Sequence, residues 1–377
     1  MAEPFKNLID AAAVQAIAHH LQRAWPAFDA PGFGALALQG LNALELKARV
    51  LQVARALVAH LPADADRACG ILEASLGPPG VGDDLQGLRT SAAGLAGWPV
   101  WPLTEAVALL AAASAPERGL LALQAMTQRL TAEFAIRPFF VHHPATTFRT
   151  VGTWLAHPSA HVRRLVSEGS RPRLPWGLRL QALVAEPSPT LPWLQALQDD
   201  PSAYVRRSVA NHLNDIAKDH PQLIVQWLHQ HLPDATPQRR ALLKHASRTL
   251  IKQGHAQVLQ AWGLGKALRG EASLSLTPKR LAVGESLTLT VQLRSTAARA
   301  QTLLIDYAVH HVKASGERTP KVFKGWSLTL GAHEQLTLHK RHSMRAVTTR
   351  RYYPGRHELD LRINGQVSAS AFFDLSL

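Results

Sequence analysis

Three acids, Glu133, Glu168 and Asp215, have the spacing in this chain that points to chemistry, and a repeated heptapeptide relates them. Pro158-Ser159-Ala160-His161-Val162-Arg163-Arg164 recurs 43 residues on as Pro201-Ser202-Ala203-Tyr204-Val205-Arg206-Arg207. Glu168 follows Arg164 by four residues and therefore shares its helix face. The same step along the second copy falls on Asn211, and Asp215 lies one turn beyond on that stripe. Glu133 precedes Glu168 by 35 residues, roughly one helix pair, near the end of a helix expected over residues 117–134. Three carboxylates on one stripe are a catalytic candidate, because clustered acids shift one another's charge. The plain alternative is that each pairs with a nearby arginine. Spacing alone leaves both open.

The surroundings suit a polyanion. Lys and Arg number 41 against 27 Asp and Glu, a net charge of +14 with a pI near 10.5. Such a surplus speaks to partners, and clustered arginines favour nucleic acid among them. Arg163, Arg164, Arg206 and Arg207 should align four guanidiniums along one stripe, with Arg171, Arg173 and Arg179 beside them. Guanidinium forks match phosphate oxygens. For the first arginine of each pair, a bond to a neighbouring helix end is an equal reading. Acids inside a positive groove repel phosphate, so their retention there calls for a reason. Trp154, Trp176 and Trp193 lie near these helices. A tryptophan in such a fold is usually core, but Trp176 belongs to Leu174-Pro175-Trp176-Gly177, expected to start a helix directly after the Glu168–Arg173 run. Further on, Thr349-Arg350-Arg351-Tyr352-Tyr353-Pro354-Gly355-Arg356-His357 forms a loop between two strands that could enter a groove. Edge packing of its tyrosines is the alternative. The histidine pairs 142–143 and 310–311 lack the helical i, i+4 spacing of a metal site. There is no phosphate-binding loop and no dinucleotide fingerprint, so neither metal nor cofactor is expected.

These residues must be positioned by two kinds of element. A period near 43 is that of stacked helical pairs, HEAT-like repeats in which each unit buries its apolar face on the next. In both copies the proline is placed to open a helix. Helical spacing continues to about residue 268, with helices expected over 45–61, 101–113, 117–134, 145–156, 159–169, 176–185, 201–217, 222–232 and 237–252. Residues 76–97, rich in Gly and Pro, should loop out. At Arg269-Gly270 the period changes to two, and seven short alternating runs follow. They predict a β-sandwich of immunoglobulin type without its disulfide. The expected fold is therefore multidomain, a helical HEAT-like solenoid over residues 1–268 and a sandwich over 271–377. The sandwich is itself basic, with 15 Lys and Arg against 8 Asp and Glu. The single Cys69 excludes a disulfide framework. The leading MAEPFKNLIDAAAV lacks a signal peptide's apolar core, and residues 95–115 hold two prolines and Glu105. A soluble, cytoplasmic, monomeric protein without a membrane span is expected.

The run Phe139-Phe140-Val-His-His-Pro144, the segment Trp154 to Gly169, Arg171-Pro-Arg-Leu-Pro-Trp176 and Asn211-His-Leu-Asn-Asp215 together resemble the AlkC branch of the AlkC/AlkD HEAT-like-repeat DNA glycosylases. The resemblance covers residues 1–268, and the sandwich is similar to that of the subgroup with an immunoglobulin-like domain. It implies hydrolysis of the N-glycosidic bond of cationic N-alkylated bases, 3-methyladenine and 3-methylcytosine, in duplex DNA. It further implies bent DNA held without a base-flipping pocket. Matched residue by residue, it puts the catalytic acids on Glu133, Glu168 and Asp215, with Trp176 beside them. Asp215 would then hold the water and the two glutamates would stabilise the cationic sugar, roles that could be exchanged. The DNA contacts would fall on Arg163, Arg164, Arg171, Arg173, Arg206, Arg207 and Asn211. In the sandwich, acting as a second clamp, they would fall on Arg350, Arg351, Tyr352, Tyr353 and Arg356. The competing readings are a non-catalytic nucleic-acid scaffold and a protein-binding adaptor, neither of which needs the carboxylates.

Overall fold

The computed structural model describes residues 4–83, 87–347 and 350–377. Contacts divide the chain into two compact units, one ending at Asp219 and one beginning at His220. In the first, the described residues form α1 (Ala11–Ala24), α2 (Ala30–Leu38), α3 (Leu46–His60), α4 (Ala65–Ala74), α5 (Val100–Ala111) and α6 (Pro116–Met126). They continue as α7 (Arg137–His142), α8 (Pro144–Gly152), α9 (Ala160–Gly169), α10 (Gln181–Ala185), α11 (Leu191–Leu197) and α12 (Ala203–Ile216). Local chemistry sets many of the starts. Asp10, Asp29 and Asp64 cap α1, α2 and α4 by accepting backbone N–H groups. Proline opens α6, α7, α8 and α11, where its missing donor costs nothing.

The two heptapeptide copies become α9 and α12, which pack directly on one another. Val162 and Val205 are fully buried, as the repeat predicts. The prolines stand just outside the helices, and Ser159 and Ser202 take the cap positions. Ser202 Oγ accepts the amides of Tyr204 and Val205.

Two expected helices are corrected. The one over 117–134 ends at Met126, so Glu133 lies in a turn. There the Thr127 hydroxyl takes the Ala132 amide and Arg129 reaches the carbonyls of Gly77 and Ala125, giving the backbone partners outside a helix. The helix expected from Trp176 begins only at Gln181. Trp176 has φ 63°, a left-handed conformation that a right-handed helix cannot include.

The second unit joins α13 (Pro221–His231), α14 (Pro237–Ala246), α15 (Arg248–Gln253) and α16 (Ala256–Ala261) to a sandwich. Its strands are β1 (Gly270–Thr277), β2 (Arg280–Ala282), β3 (Ser286–Ser295), β4 (Gln301–Val312), β5 (Arg318–Leu330), β6 (Gln335–Ser343), β7 (Gly355–Ile363) and β8 (Gln366–Ser376). They make a three-stranded sheet, β1-β3-β6, and a five-stranded one, β2-β8-β7-β4-β5. Alternation does the sorting: every second residue of β3 is buried, among them Leu287, Leu289, Val291 and Leu293. These meet Tyr307, Val309, Leu359, Leu361 and Phe373 of the facing sheet. The short β2 was not among the seven expected runs.

Candidate active site

Glu133, Glu168 and Asp215 do converge, and arginines tie them together. Glu168 is 4 % exposed. Its Oε1 accepts from Arg171 Nη1 at 2.6 Å and lies 3.7 Å from Arg164 Nη2, and its Oε2 accepts from the Ser208 hydroxyl at 2.5 Å. Arg164 Nη1 reaches Glu133 Oε2 at 2.8 Å, the same oxygen that accepts from Thr131. The Glu133 bonds all fall on Oε2, leaving Oε1 without one among the described residues. Asp215, 1 % exposed, takes Arg171 on Oδ2 and Lys218 on Oδ1, each at 2.8 Å. The chain is thus Glu133–Arg164–Glu168–Arg171–Asp215–Lys218, three acids and three cations. Burial pushes the Glu168 carboxyl up, but Arg164, Arg171 and the Ser208 hydroxyl outweigh it and hold it below the usual range. Arg164 in turn keeps its proton more firmly than usual: burial opposes the charge, and Glu133 and Glu168 overcome that.

His212 beside them is fully buried, and burial pushes it down to about 3. Its Nδ1–H donates to the Ser167 carbonyl at 2.9 Å, while Nε2 is buried without a partner. It is a neutral spacer.

The loop from Ser170 to Leu180 is held from behind by Arg137, a wholly buried guanidinium that sequence reading missed. It donates to the carbonyls of Gly169 and Arg171 at 2.8 Å and to that of Leu178. Burial, then the charge of Arg171, lowers it to about 10. A side chain at Gly177 would press on Arg137, its Cβ only 3.2 Å from Cδ and Nε. This fixes Arg171 between Glu168 and Asp215 and turns Trp176 outward, 78 % exposed, with Lys47 Nζ on its carbonyl at 2.8 Å. Trp154 and Trp193 are core, at 2 % and 8 %.

Glu133, Glu168 and Arg171 line one end of a cavity of about 460 Å3 whose other walls include Phe5, Trp98, Trp101, Phe134 and Trp176. Trp101 stacks on Phe134 at 5.3 Å and donates its indole N–H to Glu105 at 3.2 Å. Asp215 does not line this cavity. None of the other aromatic walls was foreseen, because they come from separate helices whose pairing no local pattern reports.

The arginines divide by role. Arg163 and Arg206 use Nη1 to bind the carbonyls of His157 and Pro158, and of Asp200 and Pro201, bracing equivalent helix starts in the two copies. Arg163 also forks onto Asp200 at 2.6 and 3.0 Å, and Arg173 onto Asp219 at 2.6 Å. Arg164 lies 4.6 Å over the Tyr204 ring. Of the four guanidiniums expected along one stripe, Arg207 is exposed, Arg163 and Arg206 take the helix-end alternative, and Arg164 is engaged by Glu133 and Tyr204. Asn211 stands at half-buried exposure on α12.

The sandwich loop joins β6 to β7 in different sheets, so it crosses the sandwich rather than closing a hairpin. Thr349 lies outside the described residues. Arg350 is held on His311 Nε2, and Tyr352 packs against the sandwich core. Arg351, 5.6 Å from the Tyr353 ring, and Arg356, 4.7 Å from the Phe372 ring, are exposed. Among the described residues no cluster of three His, Cys, Asp or Glu could hold a metal, and no helix is long and apolar enough to cross a membrane.

Comparison with known proteins agrees with this architecture. Residues 271–377 match the family model of the C-terminal Ig-like domain of the uncharacterised protein YhaZ. The uncharacterized protein YhaZ of Bacillus subtilis (strain 168) is 36 % identical, over 98 % of this chain and 99 % of that protein. The solved structure of Pseudomonas fluorescens alkylpurine DNA glycosylase AlkC, bound to DNA containing an abasic site analog, is 36 % identical. It covers all of both chains with a TM-score of 0.89. A likeness of this extent, over helices and sandwich alike, makes the chain a member of the AlkC family, in the branch that carries an immunoglobulin-like domain.

Proposed function

We propose that the protein is a DNA-repair glycosylase that hydrolyses the N-glycosidic bond of cationic N-alkylated bases, 3-methyladenine and 3-methylcytosine, in duplex DNA. The observation that carries the reading is the arginine-linked carboxylate cluster, whose Glu133 and Glu168 line an aromatic cavity, in a relative of an alkylpurine DNA glycosylase.

Alkylation at N3 gives the base a positive charge and makes it a good leaving group, so no acid is needed to expel it. What remains is an oxocarbenium-like sugar to stabilise and a water to direct at C1′. Ionised carboxylates fixed in a dry site serve the first need, because preorganised charge is worth far more there than in water. The arginine links keep Glu168 ionised despite its burial. For the water, Glu133 offers Oε1, since Thr131 and Arg164 both contact its Oε2. Asp215 becomes available as base when Lys218, 41 % exposed, exchanges it for a phosphate oxygen. Trp176 would lie against the lesion, and Arg207 with the Arg351–Arg356 segment would hold backbone phosphates. No cofactor takes part in this scheme.

The test is direct. Methylated duplex DNA is incubated with the protein and the released bases are identified chromatographically. Release of 3-methyladenine or 3-methylcytosine is expected. Duplex binding with no base released would make the protein a scaffold.

A further inference from the structure

The second unit holds a group of cations that repel one another. Trp262, just after α16, donates its indole N–H to Ser247 Oγ at 3.0 Å, which fixes the ring. Two cations from α14 sit over that ring, Arg240 at 5.3 Å and Lys244 at 4.5 Å from its centroid. They are four residues apart, so the helix itself makes them neighbours. Lys324 of β5 joins them: burial, then Arg240, then Lys324 lower the affinity of Lys244 for its proton. Two residues along β5, Trp326 carries Lys340 at 5.6 Å.

The ion pairs of the described sandwich residues join Arg294 to Glu271, His310 and Arg362 to Asp360, and Arg318 to Glu358. Arg240, Lys244 and Lys324 take part in none of them. Asp306, whose carboxyl feels Lys252 and Lys324, is buried and accepts the Gly325 amide. Like charges gathered on one indole, Arg240 and Lys244 in no ion pair among the described residues and Lys324 facing only the buried Asp306, destabilise the free protein and suit an anionic ligand. The tryptophan supports them, since cations rest favourably on an indole face. A guanidinium laid flat on a ring still offers its N–H edge to phosphate, and the lysines add mobile point charges.

We infer that Arg240 and Lys244, mounted on Trp262, with Lys324 of β5 as a neighbouring charge, form a phosphate-binding station for the backbone of duplex DNA, using none of the residues of the carboxylate site. The inference rests on the glycosylase reading for its choice of duplex DNA. It reads no bases, so lesion and undamaged sequence bind it alike. Each phosphate neutralised releases counterions and adds about 0.9 to the slope of log affinity against log salt.

The experiment uses the full chain and a labelled undamaged duplex, titrated across a salt series. Arg240→Gln with Lys244→Gln should flatten the slope by roughly two and weaken binding severalfold at low salt. The charge-keeping pair Arg240→Lys with Lys244→Arg should retain the wild-type slope. An unchanged slope in the glutamine variant overturns the station. So does equal loss in the charge-keeping pair, which would assign these residues to packing. Base release from methylated duplex, measured in parallel on the wild type, keeps the two ideas apart. Wild-type binding without release ends the glycosylase reading and leaves the station, whereas release with an unaltered slope does the reverse.

Discussion

Glu168 stays ionised in a nearly dry site because two guanidiniums and a hydroxyl face it, and that arrangement makes its replacement informative. Glu168→Gln or Asp215→Asn keeps the shape and removes one charge. Base release in single turnover should fall at least about 100-fold. Duplex affinity should hold or rise, since a charge that repels phosphate is gone. A variant that kept most of its release rate would remove that residue from the chemistry. The arginines offer a sharper contrast. Arg207→Ala should flatten the salt dependence of duplex binding by about one unit. Arg163→Ala should leave that slope alone and lower the melting temperature, because Asp200, 3 % exposed at its side chain, loses a bidentate partner. The reverse result would exchange their roles. Glu168 and Asp215 were legible at this scale because the repeat sets equivalent faces of α9 and α12 together, whereas Glu133, which periodicity put on a helix, lies in a turn. The partners of these acids were not legible. Arg171 and Lys218 are set by i, i+3 neighbours, but the reach from Arg164 to Glu133 and the buried Arg137 depend on how separate elements fold back, which sequence spacing does not contain.

The loop between α9 and α10 is the element on which the site turns. It lacks regular structure, and the carbonyls of Gly169, Arg171 and Leu178 depend on one guanidinium. A bulky residue held at φ 63° costs about 1–2 kcal/mol, yet Trp176 is held there at the cavity mouth. Trp176→Gly should therefore raise the melting temperature by a few degrees while reducing base release. Loss of stability with unchanged release would mean that Trp176 serves only the fold. Periodicity misread residues 176–180 of this loop as the start of a helix, since it counts apolar residues and is blind to a positive φ. The strands of the sandwich were easier, because alternation alone sorts two faces. What alternation hid is their burial of histidines: His311 and His342 are pushed down to about 3 and 4, chiefly by desolvation and then by Arg350. Both folded values lie below the ordinary 6.5, so the associated stability is whole above pH 6.5. It is lost as the pH falls from there towards 4, where the unfolded chain takes protons that the fold refuses. Each histidine should contribute about 1.4 kcal/mol per pH unit in that window. Urea melts followed by the β-sheet signal would read it, and His342→Gln should flatten the decline. A melt independent of pH across the window would show that the rings protonate in place.

For the molecule as a whole, net charge predicts the partner and says little about where it binds. Of +14 overall, residues 271–377 carry 15 cations against 8 acids, so the sandwich is no passive appendage. The helices α13 to α16 cluster with it, and Asn364 Nδ2 donates to the Lys266 carbonyl at 2.7 Å. Cutting the chain at residue 270 would strip these helices of their packing partner, so a truncation there tests folding as much as DNA binding. Point changes in the full chain are the cleaner probe. Within the β6–β7 crossing, Arg350 is occupied by His311, whereas Arg351 and Arg356 rest on Tyr353 and Phe372 with their charge in solvent. Arg351→Ala with Arg356→Ala should weaken duplex binding and flatten its salt slope by roughly two. The release rate at saturating protein should be unchanged, since neither residue touches the carboxylate cluster. Arg350→Ala should instead lower the melting temperature of the β signal. If the double variant bound duplex with the wild-type slope, the sandwich would have a partner other than DNA.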